Sequence, residues 1–391
     1  MKKSTATTDP QNNAGRDVAI IGGGIGGLTA ALAFARQGAK VTVFEQATAL
    51  TEIGAGLQIT PNAARALNKL GLRDALAASG KEAAAVIPMD AYSGKQIARF
   101  DLTRQNPSYR FFHRAALIDL LARACEAQSV TLVLDAKIAS VSPDGSFQCG
   151  SKTFRPDLTI GADGVRSIVR DALNRPRAPF FTGQVAWRAM INAPDAPPAA
   201  RIWMAKGRHV VTYPLPNGRL NIVAVQERSQ WADEGWHHPD DPGNLRAAFA
   251  DSCWELKGIL AEVTEVNLWG LFRHPVAENW HLGSTALLGD AAHPTLPFLA
   301  QGANLAIEDA YVLARCCQEN SSLQGGLRDY QNARRARVVR AIAAANRNAT
   351  NYHLSGMKRV IAHTGLRGMG KLAPDAFLNR LSWLYDHDVT A

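Results

Sequence analysis

The sequence predicts an α/β protein in which a domain of alternating strands and helices is interrupted by a mainly antiparallel sheet and followed by C-terminal helices. Three observations predict it. The apolar run Val18–Ile21 gives way to a glycine cluster, then to a helical stretch and a second apolar run, which is the order of a βαβ unit. Between Phe180 and Trp280 the texture changes. Prolines gather at Pro194, Pro197, Pro198, Pro214 and Pro216, runs such as Arg219–Val225 alternate as antiparallel strands do, and seven of the eight tryptophans fall within Trp187–Trp280. After this insertion Thr285–Gly289 reads as a buried strand, and helical patterns follow.

The first unit is strand Val18–Ile21, helix Leu28–Gln37, a turn at Gly38 and strand Lys40–Glu45. The uncharged stretch Val18–Ala35 approaches the length of a membrane span, but its five glycines break it into strand, turn and helix, so no membrane association is expected. Helices fit Asn62–Leu70, stopped by Gly71, and Arg114–Ala127; strands fit Val130–Leu134 and Lys137–Val141. Residues 16–85, 102–179 and 281–345 are therefore assigned to the first domain, 86–101 and 180–280 to the inserted sheet domain, and 346–391 to a C-terminal helical segment. The polar residues 1–15 lack the apolar core of a signal peptide and are expected to be disordered.

Composition narrows the function classes. A chain of 391 residues, 47% hydrophobic and 20% charged, fits two joined domains or one large domain with an insertion, not a disordered or fibrous protein. Five scattered cysteines without a CxxC pair argue against a disulfide framework and a zinc site, and for a reducing, cytoplasmic location. The net charge of +9 invites a nucleic-acid partner. However, ten basic residues against one acid between Arg328 and Lys371 account for all of it, which reads as one basic helical face and not a nucleic-acid surface. A monomer or homodimer is expected.

The chemistry is carried by motifs. Gly22, Gly24 and Gly27 satisfy GxGxxG between a strand and a helix, and Glu45 closes the second strand. Gly22 permits the tight turn, Gly24 a close pyrophosphate, and Gly27 helix–strand packing, while the glutamate can bind both hydroxyls of an adenosine ribose. This fingerprint does not separate FAD from NAD. Two later segments do. Gly289-Asp290 follows a strand and offers a carboxylate to a ribityl chain. The helix start at Gly302, Ala303 and Asn304 aims N–H groups that can stabilise negative charge on the O2 edge of a reduced flavin. Gly161-Ala162-Asp163-Gly164 places a further carboxylate between a strand and a basic helix start.

With His113-Arg114 ahead of a helix, these ordered segments resemble the single-component (group A) flavin-dependent aromatic hydroxylases. That family includes 4-hydroxybenzoate, salicylate, 3-hydroxybenzoate and 6-hydroxynicotinate monooxygenases. The resemblance runs from about Val18 past Arg340. It implies a Rossmann-like FAD-binding domain of the 4-hydroxybenzoate hydroxylase type with non-covalent FAD contacted by Gly22, Gly24, Ile25, Gly26, Gly27, Glu45, Gln46, Arg114, Ile138, Asp163, Asp290, Gly302, Ala303 and Asn304. It also implies NAD(P)H as reductant, O2, and a flavin C4a-hydroperoxide that attacks a small hydroxylated aromatic or N-heteroaromatic ring. No second nucleotide fingerprint is present, so NADH and NADPH are not distinguished.

The substrate side rests on the same resemblance. After Gly54-Ala55-Gly56, hydroxypyridine enzymes carry a histidine proposed as base, where this chain has Gln58, which cannot take a proton. His209 and Tyr213 match a His and Tyr at the same spacing, and positions four apart on a strand share a face. They are candidate catalytic residues with Gln58; a sheet histidine and a core tyrosine are the other reading. Arg188 is a candidate carboxylate anchor or a surface arginine, Pro297 and Phe298 border the ring, and His293 is read as structural. The alternative function is oxygenation of a bulkier natural product or antibiotic.

Overall fold

The computed structural model describes residues 12–50, 56–229 and 238–391; Gly54, Ala55, Trp231, Trp236 and most of the N-terminal tail lie outside them. A six-stranded sheet runs in the order His281–Leu282, Thr285–Leu287, Leu158–Gly161, Asp17–Ile21, Lys40–Phe44, Thr131–Val133, parallel except for the first pair. Its central strands are continuous apolar runs because both faces are covered. Helix Ile25–Ala35 is buried almost all round, sandwiched between this sheet and helix Gly302–Glu319. That helix starts three residues earlier than the sequence predicts. Gly26 and Gly27 belong to its first turn, where a Cβ on Gly26 would lie 2.8 Å from Leu288 and one on Gly27 2.0 Å from the Gly22 carbonyl oxygen.

The second sheet has eight strands, ordered His238–Asp240, Val266–Arg273, Phe180–Asn192, Arg219–Glu227, Arg208–Pro214, Ala199–Ala205, Ala85–Asp90, Phe100–Asp101. It is antiparallel except where Ala199–Ala205 runs parallel to Ala85–Asp90. Trp187 and Trp203 are fully buried and bonded, Trp187 Nε1 to Asp240 (2.6 Å) and Trp203 Nε1 to Thr212 (3.2 Å), so they serve the core. The C-terminal part is helical: Leu323–Tyr352, Gly356–Leu372 and Pro374–Tyr385. No helix among the described residues is long and apolar enough to cross a membrane.

The start of the described chain departs from the expected disorder. Asn13 is buried and its side-chain amide donates to the Ala314 carbonyl (2.9 Å), while Arg16 donates to its oxygen (2.5 Å), so residues 12–15 are tied to the helix behind the sheet. A polar side chain that can satisfy buried backbone groups holds a segment as firmly as an apolar one.

Helices Gly302–Glu319 and Leu323–Tyr352 are clamped by an ionic cluster. Arg334 bridges Glu308 (2.7 Å) and Asp309 (2.8 Å), Arg337 bonds Glu308 (2.7 Å), and His293 bonds Asp309 (2.5 Å). Burial alone would raise both carboxyls, but the surrounding cations outweigh it, lowering Glu308 and holding Asp309 at about 2. Replacing Arg334 removes the cation that bridges both buried carboxylates, leaving Glu308 to Arg337 and Asp309 to His293. Arg334→Leu is expected to cost ~3–5 kcal/mol in a denaturant melt, whereas Leu at the exposed neighbour Arg335 should change stability by less than about 0.5 kcal/mol.

Candidate functional site

The parallel sheet creates the first half of the site. Four adjacent strands end at the same edge, and the residues just past those ends are Asp290, Asp163, the Gly22–Gly27 turn and Glu45, in spatial order. This carboxyl edge of an open parallel sheet is where ligands bind. The sequence separates these residues by 268 positions, and the topology places them side by side.

Local geometry fits an elongated polar ligand. Gly22 has φ +108°, and a Cβ there would lie 2.4 Å from the Ala162 carbonyl oxygen. Gly24 meets nothing within 4 Å, so its backbone faces open space at the start of the helix. Glu45 accepts from the N–H groups of Gly23 (2.7 Å) and Ala47 (2.8 Å), which fixes the carboxylate at the turn. Gln46 beside it is exposed, and Ile138, at the start of the strand Ile138–Val141, is buried close by, with the Ala136 N–H donating to the Glu45 carbonyl. Asp163 accepts from Ser167 Oγ (2.5 Å) and the Val169 N–H, and burial moves its carboxyl up to about 6.

Asp290 reaches solvent, yet desolvation raises its carboxyl against the pull of His293 and Arg114. That combination describes a group crowded on most sides and open on one, as in a cleft wall. Arg114 opens helix Arg114–Glu126 within electrostatic range of Asp290. His293 is buried, stacked on Trp280 and bonded to Asp309, so it holds the turn that presents Asp290.

The second half is a recessed, mostly apolar cavity of about 290 Å³ between the eight-stranded sheet, the turn 297–300 and the C-terminal helices. Gln58, His209, Pro297 and Phe298 line it. Asn304 joins the two halves: its amide donates to the carbonyls of Gln58 (2.8 Å) and Ala300 (2.5 Å), and its oxygen accepts from the Thr60 N–H (2.9 Å). The helix start Gly302–Asn304 is thereby fastened to the strand that carries Gln58 and to the turn that carries Phe298.

Tyr213 and Arg188 are not among the lining residues. Tyr213 shares a strand face with His209, but Gly56 and Gln58 cover it. It is stacked on Phe111 at 5.1 Å, and a Cβ on Gly56 would lie 2.8 Å from its hydroxyl. Arg188 lies over the Trp269 ring at 5.1 Å. Sequence reasoning missed Tyr109, whose hydroxyl donates to Gln58 Oε1 (2.5 Å), and the lining residues Asn348, Asn351, Tyr352, His363 and Tyr385. It also missed His353, whose Nε2 lies 2.8 Å from Nδ1 of His209. The signal present was the polar–aromatic cluster Asn351-Tyr352-His353 at the end of a basic helix, which the charge count obscured.

Comparison with known proteins agrees with this geometry. Residues 16–345 match the family described as "FAD binding domain". The chain is 35% identical over 352 residues to 3-amino-4-hydroxybenzoate 2-monooxygenase of Streptomyces cremeus, covering 86% of this chain and 88% of that protein. It is 31% identical over 396 residues to 3-hydroxybenzoate 6-hydroxylase of Polaromonas naphthalenivorans (strain CJ2), covering 97% and 98%. The solved substrate complex of salicylate hydroxylase has the same fold, with a TM-score of 0.81 at 23% identity over 96% of each chain.

The glycines of the turn are expected to separate by role. Gly27→Ala, with its Cβ forced against backbone, should lower the melting temperature sharply. Gly24→Ala, with open space around it, should melt within about 0.5–1 kcal/mol of the wild type. Thermal melts of the two purified variants check this.

Proposed function

From a chain that belongs to the FAD-binding-domain family of flavoprotein aromatic monooxygenases, we propose an enzyme that hydroxylates a small hydroxylated aromatic or N-heteroaromatic ring, of hydroxybenzoate or hydroxypyridine type, at the expense of NAD(P)H and O2. The observation that carries this reading is the recessed apolar cavity of about 290 Å³ beside the helix start Gly302–Asn304. An apolar cavity of about 150 Å³ already admits benzene, so this one has room for a substituted single ring. The compounds oxidised by the two relatives named above are single rings of this kind by name.

The residues fit a non-covalent FAD. The Gly22–Gly27 turn would receive the pyrophosphate on backbone N–H groups, with Gly24 leaving the room it needs, and Glu45 would take the adenosine ribose. Asp290 and Arg114 would hold the ribityl side, and the N–H groups of Ala303 and Asn304 would meet the ring system at the cavity. Bound and reduced FAD supplies activation of O2 and transfer of one oxygen atom to the ring.

The chain's own residues prepare the ring. Apolar walls exclude water, and a hydroxyl on the ring becomes strongly electron-donating once it loses its proton. His209 is the proton acceptor: it lines the cavity, Nδ1 is bonded to His353, and Nε2 is the ring nitrogen not used in that bond. Burial and the neighbouring His353 lower its pKa well below the ordinary histidine value, so the ring is neutral and able to accept. Gln58, held through Oε1 by Tyr109, positions the ring as a neutral hydrogen-bonding group. Among the described residues lining the cavity there is no Lys or Arg, so a ring carboxylate is not required for binding.

The purified protein is expected to be yellow, to release its FAD on acid precipitation, and to oxidise NAD(P)H faster with members of a panel pairing each hydroxybenzoate with the phenol that lacks its carboxylate. Oxygen from 18O2 should enter the product. No stimulation by any single-ring phenol would refute the reading. Asp290→Ala should weaken FAD retention by ~1.5–3 kcal/mol, measured by fluorescence titration. His209→Ala should lower kcat/KM by about 10²–10⁴-fold at normal FAD content. The acid limb of the wild-type pH profile, lying below ~6.5 because the base must be unprotonated, should vanish in that variant. Tyr213→Phe, one layer behind Gln58, should cost no more than about 0.5–1.5 kcal/mol in kcat/KM.

A further inference from the structure

The geometry points to a proton relay, His209–His353–Glu227, that connects the apolar cavity to an exposed carboxylate. The inference rests on His209 as the cavity's proton acceptor and adds the two groups beyond it. His209 Nδ1 lies 2.8 Å from His353 Nε2, and His353 Nδ1 lies 2.7 Å from Glu227 Oε1. Both imidazoles are buried, whereas the Glu227 side chain is 55% exposed. His353 and Glu227 also line a separate polar depression, with Gln184, Thr350, Ser355 and Lys358, on the side of His353 away from the substrate cavity. His209 lines the apolar cavity and His353 the polar depression, so the bonded pair of imidazoles links the two.

The chain of bonds sets the tautomers. A carboxylate accepts only, so Glu227 fixes the proton of His353 on Nδ1 and leaves Nε2 as an acceptor. His209 must then carry its proton on Nδ1 and donate it to His353. Its Nε2 is left without a proton, which is the state a proton acceptor needs. When a ring hydroxyl gives its proton to Nε2 of His209, the Nδ1 proton passes to Nε2 of His353. The Nδ1 proton of His353 then passes to Glu227, which releases it to water. Four transfers, the last to water, move one proton outward, and the substrate keeps the electron pair as phenolate. The reverse sequence returns a proton to the product and restores the starting tautomers.

His209 by itself would hold a phenol proton poorly. An ordinary phenol titrates near ~10, and burial makes an isolated His209 imidazolium unfavourable. Handing the proton on avoids storing that charge. His353 is better placed to carry it transiently, since Glu227 opposes the effect of its burial. The titratable and charged groups facing the relay include Tyr352 beside His209 and Lys358 in the depression with Glu227.

The test uses holoenzyme and 4-nitrophenol, whose phenolate absorbs in the visible, in stopped flow at low buffer concentration. In the wild type the bound phenol should ionise rapidly and independently of buffer. Glu227→Gln, a surface substitution of the same size, and His353→Gln should slow ionisation at least about tenfold, with FAD absorbance unchanged. Added imidazole or formate should restore much of the rate. His209→Ala should abolish ionisation. Wild-type ionisation rates in both relay variants at low buffer, with His209→Ala still defective, would overturn the relay and leave the base in place. Ionisation that persists in His209→Ala would overturn the base and the relay with it. Failure of 4-nitrophenol to bind the wild type would overturn the reading of the cavity itself.

Discussion

The arrangement depends on the buried ionic cluster of Glu308, Asp309, Arg334, Arg337 and His293. Isolated, each of these charges would be strongly disfavoured in the interior; together, they compensate one another and permit only one relative placement of the two long helices. Asp309 also accepts from the Gly289 N–H (3.1 Å), and Asn62 donates to Glu308 (2.6 Å). One cluster thus sets the Asp290 turn, the helix starting at Gly302 and the helix Pro61–Lys69 that follows the Gln58 strand.

From that anchor the site is built in two layers with different physical requirements. The sheet edge must present many polar contacts along an extended ligand, which the loops at four strand ends do at almost no cost in buried unpaired groups. The cavity must exclude water, which needs apolar walls drawn from the inserted sheet and the C-terminal helices. Asn304 satisfies both demands, since its side chain bonds the backbone on either side of the junction while its own N–H remains at the helix start.

On the proposed reading, an apolar cavity raises a difficulty that the parallel sheet does not solve: a proton released against its apolar wall needs a polar group to receive it. The helix that ends at Tyr352 brings His353 against His209 near the exposed Glu227 end of the sheet strand Arg219–Glu227. The C-terminal segment, whose basic residues dominate the charge of the chain, therefore contributes a pair of neutral histidine contacts to the site in addition to its charged face.

The glycine turn, Glu45, Asp163 and Asp290 were legible in the sequence because each belongs to a local pattern, a strand end followed by a turn, whose chemistry is set by residues within a few positions. The inserted sheet was legible for the same reason, from alternation and proline clustering. The substrate side was legible only in part. His209 and Tyr213 share a strand face, but which of them reaches the cavity depends on Gly56 and Gln58 lying over Tyr213, residues more than 150 positions away. Arg188 was open to two readings until Trp269 was found beneath it. His353 carries no local motif, and its closeness to His209 and Glu227 arises from a helix and two strands meeting across 144 and 126 positions. Local sequence determined the elements and the nucleotide-type edge, since short-range backbone preferences suffice for both. The cavity, its wall of histidines and the buried ionic clamp were decided by tertiary packing, because only the folded chain brings those side chains within bonding distance.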